Sequence, residues 1–225
     1  MISEKLGVIK LLIIKRSIKN KLFMARYTGP KQRLQRQVSE DLGLKTNALK
    51  TAKRLMVRPG QHGPRGRRKL SNFGVQLKEK QKVKYIYGVL EKQMKTLFEK
   101  AEKHQTNTGS ALISLLERRL DNVVYRLGWA PTRTAARQLV SHNHVQVNGK
   151  KMNIPSYSVK VNDIIMLKEK TIKIPIVAEK LKEENPTIPA WLDRKASAGK
   201  VVRLPEREDI LEGINEALII EFYSR

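Results

Sequence analysis

Arg118, Arg119, Arg133 and Arg137, with Lys150 and Lys151, are the residues whose types and spacing point to a chemistry. That chemistry is the gripping of anions and not the making of bonds. A guanidinium presents a planar fork of donors that fits phosphate oxygens, and it keeps its charge at any physiological pH. Arg133 and Arg137 stand one helical turn apart and share a face; Arg118 and Asp121, three apart on one helix, have the spacing to pair with each other, the bland alternative for both. Catalytic alternatives have little support. There is no phosphate-binding glycine loop followed by Lys-Ser or Lys-Thr, no GxGxxG and no GxSxG. His142 and His144 form an HxH without an acidic or cysteine neighbour to complete a metal site, and Asp121 and Asp163 are isolated from any second carboxylate. With no cysteine there is no disulfide, no thiol nucleophile and no thiolate-held metal.

The elements that must position these cations are legible. Leu116, Leu120, Val123 and Leu127 step by four, three and four, the spacing of one buried helical face. Pro131 and Thr132 restart the chain, and Thr132 is a candidate N-cap for a helix through Val140, with Ala136, Leu139 and Val140 available to pack. Val145 and Val147 alternate with polar residues, and Asn148-Gly149 is the dipeptide of a type I′ hairpin. The stretch 118–150 therefore predicts helix, turn, helix and hairpin, with aliphatic side chains inside and arginines outside.

Forty-six basic residues face 21 acidic ones, a net charge of +25, with an isoelectric point near 10.4. Such an imbalance adds nothing to fold stability and makes sense beside a polyanion. No run approaches the roughly 18 apolar residues of a membrane span, so nucleic acid is the better reading than membrane. The segment 24–105 carries +15, while 181–225 carries −2 and has no electrostatic reason to touch phosphate. Aromatic residues are only 5% of the chain, which leaves little capacity for base stacking. Recognition should run through phosphates, 2′-hydroxyls and the shape of a folded RNA. On this reading the RNA-contacting residues are Arg26, Lys31, Arg33, Arg36, Arg58, His62, Arg65, Arg67, Arg68, Lys69, Lys82 and Lys84, then Arg118, Arg119, Arg133, Thr134, Arg137, Gln138, His142, Asn148 and Lys150.

The organisation follows the same signals. Residues 1–23 are a basic leader, read as lying upstream of a start at Met24, as a basic extension or as a targeting segment. Residues 24–106 form a basic, mainly helical domain, with a short helix near 45–56, the loop RPGQHGPRGRRK at 58–69 and a helical pattern from Leu77 to about Ala101. Residues 107–180 form a small RNA-binding domain with its core at 118–178, in which Val159, Val161 and the run Ile164 to Leu167 suggest further strands about the Asn162-Asp163 turn. Residues 181–225 form a segment that docks on the rest, its last run, Leu218 to Tyr223, reading as a strand. The fold class is α+β: a helical N-terminal domain, a helix–helix–hairpin domain and a C-terminal tail packing back.

The stretch 118–150 resembles the RNA-binding domain named after small-subunit ribosomal protein S-four. MARYTGPK at 24–31, RPGQHGPRGRRK at 58–69, TNTGSALISLLERRLDNVVYRLG at 106–128, LPERED at 204–209 and the ending EALIIEFYSR are similar to the bacterial or organellar form of that family, in the same order along the chain. The resemblance implies a primary binder of small-subunit rRNA at a multi-helix junction of the 5′ domain, one that nucleates assembly of the subunit body and contributes to translational accuracy. It implies ribosomal neighbours, protein S-five above all, and is compatible with the protein's own mRNA as a further partner. It places the protein in the cytoplasm or in an organellar ribosome, with no membrane, no cofactor and no catalysis. Some members carry N-terminal zinc cysteines; with none here, no metal is expected. Two alternatives differ in kind: an RNA-modifying enzyme or tRNA synthetase carrying the same module, for which the residues after Lys180 are too few to form a catalytic domain, and a free-standing RNA-binding regulator.

Overall fold

In the computed structural model the described residues are 27–65, 69–103, 107–183 and 187–225. They build two hydrophobic cores that meet along a polar seam.

The first core belongs to helices α1 (Lys31–Val38), α3 (Asn72–Ile86), α4 (Glu91–Glu102) and α5 (Thr108–Glu117), with α2 (Ala48–Leu55) set against α1. Ser71 caps α3, its hydroxyl accepting from the Gly74 amide at 3.2 Å. The helical pattern expected from Leu77 to Ala101 is two helices, not one. Gly88 adopts φ +61, a conformation that glycine reaches without penalty, and the chain turns there before Leu90 starts α4. Leu34, Val38, Val83, Ile86, Met94, Phe98, Leu112, Ile113 and Leu116 fill this core, joined by Ile210, Ile214 and Ile219 from the tail.

The tail segment expected as a strand is helix α10 (Glu216–Tyr223). It lies against α3 and α5, which offer no sheet edge, so its backbone groups must be satisfied within the segment. Phe222 stacks on Phe73 at 5.6 Å between ring centroids and Tyr223 on Phe98 at 4.7 Å. Those two contacts account for Phe222 and Tyr223, and Ile219 enters the first core with Ile220 packed against it.

The second core lies under helices α6 (Leu120–Arg126) and α7 (Arg133–Ser141), with the short helices α8 (Glu169–Ile172) and α9 (Pro175–Lys182) beside them. Thr132 caps α7 as its sequence indicates, its hydroxyl accepting from the Ala135 amide at 3.2 Å. A five-stranded antiparallel sheet in the order β2-β1-β3-β5-β4 covers the helices. Its strands are β1 (Val145–Val147), β2 (Lys150–Met152), β3 (Ile164–Leu167), β4 (Leu192–Lys195) and β5 (Ala198–Val201). Asn148 and Gly149 both have positive φ, +50 and +75, as a type I′ turn requires, and set Val147 opposite Lys150. Of the strand expected near 159–161, only an isolated bridge between Arg119 and Ser158 forms; Val159 is buried outside any strand and Val161 is exposed.

The one helical face expected from Leu116 to Leu127 is divided. The helix breaks at Arg118 and Arg119, so Leu116 enters the first core while Leu120, Val123 and Leu127 enter the second. Strand β5 lies so close to the end of α6 that a Cβ on Gly199 would stand 2.7 Å from the methyl groups of Leu127, so a larger residue there would force that side chain to move.

Candidate nucleic-acid interface

The seam between the two cores is ionic. Glu117, at the end of α5, lies on the same buried spacing as Leu112, Ile113 and Leu116, and a carboxylate on such a face needs a cation. Arg126 supplies it from α6, donating to Glu117 through Nε at 3.0 Å and Nη2 at 2.8 Å, and to Glu212 of the tail at 2.6 Å. Asn122 donates to the Glu117 carboxylate at 2.7 Å, and the Tyr87 hydroxyl donates to it at 2.6 Å. Burial and the neighbouring Glu117 push the Tyr87 hydroxyl well above its ordinary pKa, so it remains a donor. Burial pushes the Glu212 carboxyl up, but the Arg133 and Arg126 guanidiniums outweigh this and hold it at about 2.

Arg133 belongs to the seam as well. Its Nε donates to Asn122 Oδ1 at 2.8 Å, its Nη2 to Glu212, and its guanidinium lies over the rings of Tyr125 (4.5 Å) and Tyr87 (5.2 Å). Arg119 is 5% exposed and forms a two-pronged pair with Asp121, at 3.1 and 2.8 Å. The expectation that the arginines of 118–150 lie outside is therefore corrected for Arg119, Arg126 and Arg133. Their charges are consumed by carboxylates that the sequence places far away, or two residues on. The pair of Arg118 with Asp121 does not form: Arg118 Nε donates to the Val159 carbonyl at 3.1 Å, and Asp121 takes Arg119 and, at 3.5 Å, Arg137.

Beside this seam runs a groove of about 670 Å³. Lys31, Arg33, Lys84, Tyr85 and Gly88 line it from the first unit, and Arg133, Thr134, Arg137 and Gln138 from the second. No carboxylate side chain is among its lining residues. Arg137 Nη1 donates across it to the Gly88 carbonyl at 3.2 Å, using the backbone that the glycine turn exposes. Arg33 and Gln37 carry the lining on into a second hollow of about 290 Å³, closed by Arg58, Gly60, His62 and Gly63 of the basic loop. That loop is ordered by its own turn, the Gly63 amide donating to the Gly60 carbonyl at 3.1 Å, and by Arg36, which donates to the carbonyls of Val57 (2.7 Å) and Arg58 (2.9 Å). A side chain at Gly63 would collide with the Arg58 carbonyl.

The structure thus brings Lys31, Arg33, Arg58, His62, Lys84, Arg133, Thr134, Arg137 and Gln138 along one channel, and Arg36 behind its wall. Lys82 stands apart: it is buried and pairs with Glu40 at 2.7 Å and with the Gly213 carbonyl. Lys84 pairs with Glu91 at 3.0 Å at the groove's edge. Arg65 and Lys69 are exposed loop residues, while Arg26, Arg67 and Arg68 lie outside the described residues. Lys150 and Asn148 sit on the β1–β2 hairpin at one edge of the sheet and line neither hollow. The Asn148 amide is committed to Asp163 (2.8 Å) and to the Ile164 amide (2.8 Å), so it holds the hairpin to the Asn162-Asp163 turn. His142 is exposed and stacks loosely on His144, whose Nδ1 meets Thr171; among the described residues no three metal-ligating side chains cluster. Glu117, Asn122, Arg126 and Glu212 are seam residues that the charge pattern of 118–150 does not single out. Glu117 had a signal, a lone acid on an apolar face; Glu212 had none, since its partners stand 79 and 86 positions away.

Comparison with known proteins gives this geometry its context. Residues 26–117 match the ribosomal protein S4/S9 N-terminal domain, and residues 118–165 match the S4 domain. Small ribosomal subunit protein uS4 of Parabacteroides distasonis is 51% identical over 204 residues, 90% of this chain and 100% of that protein. The chain belongs to the uS4 family. The uS4 proteins of Bacteroides thetaiotaomicron (50% over 204 residues) and Geobacter metallireducens (52% over 209) match to the same extent, each along its whole length and 90% of this chain. A uS4-family chain is a ribosomal protein and not an enzyme. The border between the two matched domains, at Glu117 and Arg118, coincides with the break between α5 and α6.

Proposed function

We propose that this chain binds small-subunit rRNA through the channel between its two units, as a primary binder that nucleates assembly of the subunit body. The observation that carries this reading is a groove whose charged lining side chains come from both units and are all basic. A phosphate backbone laid there meets cations from both units at once, so a folded junction is favoured over a flexible single strand. The carbonyls and carboxylates that hold Arg36, Lys84 and Arg137 fix those cations in place before RNA arrives, which lowers the ordering cost of binding. The same reading extends to a place in the cytoplasmic small subunit beside other ribosomal proteins, S-five among them, to a contribution to accuracy and to recognition of its own mRNA.

Filter binding to a 5′-domain rRNA fragment over a salt series tests the reading. Binding should weaken steeply with salt, and Arg33→Ala and Arg58→Ala should each flatten the slope by about one. Unchanged slopes in both variants would refute the channel as the site. In cell extracts the protein should sediment with the small subunit and resist moderate salt washing. A chain running free of ribosomes would favour the regulator reading.

A further inference from the structure

The tail is the acidic part of the chain, yet one of its carboxylates lies at the back of the basic groove. Glu212 accepts from Arg126 through Oε2 and from Arg133 through Oε1, and both arginines belong to the second unit while Ile210 and Ile214, on either side of Glu212, are anchored in the first core. Arg133 is also a lining residue of the groove, one turn before Arg137 and adjacent to Thr134. We infer that Glu212 is a positioning residue for RNA binding: by clasping Arg126 and Arg133 together it sets how the start of α7 faces the Tyr87–Leu90 turn, and so the width of the groove.

The inference rests on the channel being the RNA site. Its physical basis is the division of labour at Arg133. The guanidinium has two acceptors, Asn122 and Glu212, and two aromatic faces, so it acts as a pin through the seam and not as a free phosphate ligand. Without Glu212 the cluster keeps two guanidiniums against the one carboxylate of Glu117. Their repulsion favours an opened seam and a wider groove. Glu117 alone cannot hold the arrangement, because its oxygens are already taken by Arg126, Asn122 and Tyr87. Residues still able to meet phosphate, Arg33 and Arg137 among them, would then have to be brought together at the moment of binding.

The test uses the full-length chain with Glu212→Gln and Glu212→Asp, at a temperature where circular dichroism shows every variant fully folded. E212Q should bind the rRNA fragment about tenfold more weakly with an unchanged salt slope, the loss expected when the competent arrangement falls to about a tenth of the population. E212D, which keeps the charge, should regain most of that loss. Amide exchange in E212Q should quicken at 87–90 and 133–138 and stay unchanged in the sheet. Affinity within twofold of wild type, a gain in affinity showing that Glu212 competes with phosphate, or a slope lowered by about one would each overturn the inference. If the unaltered chain binds rRNA weakly and without salt dependence, the functional reading fails and the RNA part of this inference with it; the exchange pattern still decides whether Glu212 holds the seam.

Discussion

Arg126 and Glu117, nine positions apart on consecutive helices, face each other through two parallel hydrogen bonds of 3.0 and 2.8 Å in a site where both side chains are almost wholly buried. The pair joins the last residue of the first unit's helices to the last residue of the second unit's first helix. Removing one partner strands the other charge away from water. Arg126→Ala should therefore cost about 3–5 kcal/mol of unfolding free energy, read from urea denaturation. A loss below about 1 kcal/mol would mean that water already reaches the seam.

Charge reversal separates an arginine committed to the seam from one that only lines the channel. Arg133→Glu sets a third carboxylate beside Glu212 and Glu117 and should lower stability by several kcal/mol, so it reports on the fold before it reports on RNA. Arg33→Glu, at an exposed position, should leave the melting temperature within about 2 °C of wild type while rRNA affinity falls. Equal thermal losses in the two variants would contradict the assignment of Arg133 to the seam.

The depressed carboxyl of Glu212 makes an acid-side prediction. A folded-state pKa of about 2 lies below the ordinary carboxylate value of 4.5, so its stabilisation is complete above the unfolded pKa and is lost as pH falls from there through about 2. The contribution is roughly 2 kcal/mol once the partial exposure of the side chain is allowed for. Unfolding free energy measured from pH 5 to pH 2 should fall less steeply in Glu212→Gln than in wild type. Parallel curves would exclude Glu212 as a source of the acid lability.

Gly88 offers a test of backbone conformation alone. A Cβ there meets nothing within 4 Å, yet φ is +61. Gly88→Ala should cost about 1–2 kcal/mol through the left-handed conformation without any steric clash, a fall of a few degrees in melting temperature. A neutral or stabilising substitution would show that the turn between α3 and α4 can relax.

The local elements were legible because their signals are local. Thr132 before an amphipathic run, Asn148-Gly149 between alternating valines, and the positive charge of 24–105 each need only a few neighbouring residues to be read. The terminal run from Leu218 is ambiguous in sequence because its apolar content suits a strand or a helix equally. Only the absence of a sheet edge beside α3 and α5 decides between them.

By itself, then, the sequence determined a two-part basic chain of the uS4 type with an RNA-gripping chemistry and no catalytic one, since composition, motif order and short-range periodicity are properties of the chain alone. Which arginines are taken up by buried carboxylates was decided only by the tertiary structure. Arg119, Arg126 and Arg133 are chemically the same as Arg33 and Arg58. What distinguishes them is a carboxylate within 3.1 Å, and for Arg126 and Arg133 that carboxylate includes Glu212, brought from the far end of the chain. Electrostatic pairing depends on distance in space, and the fold, not the order of residues, sets that distance.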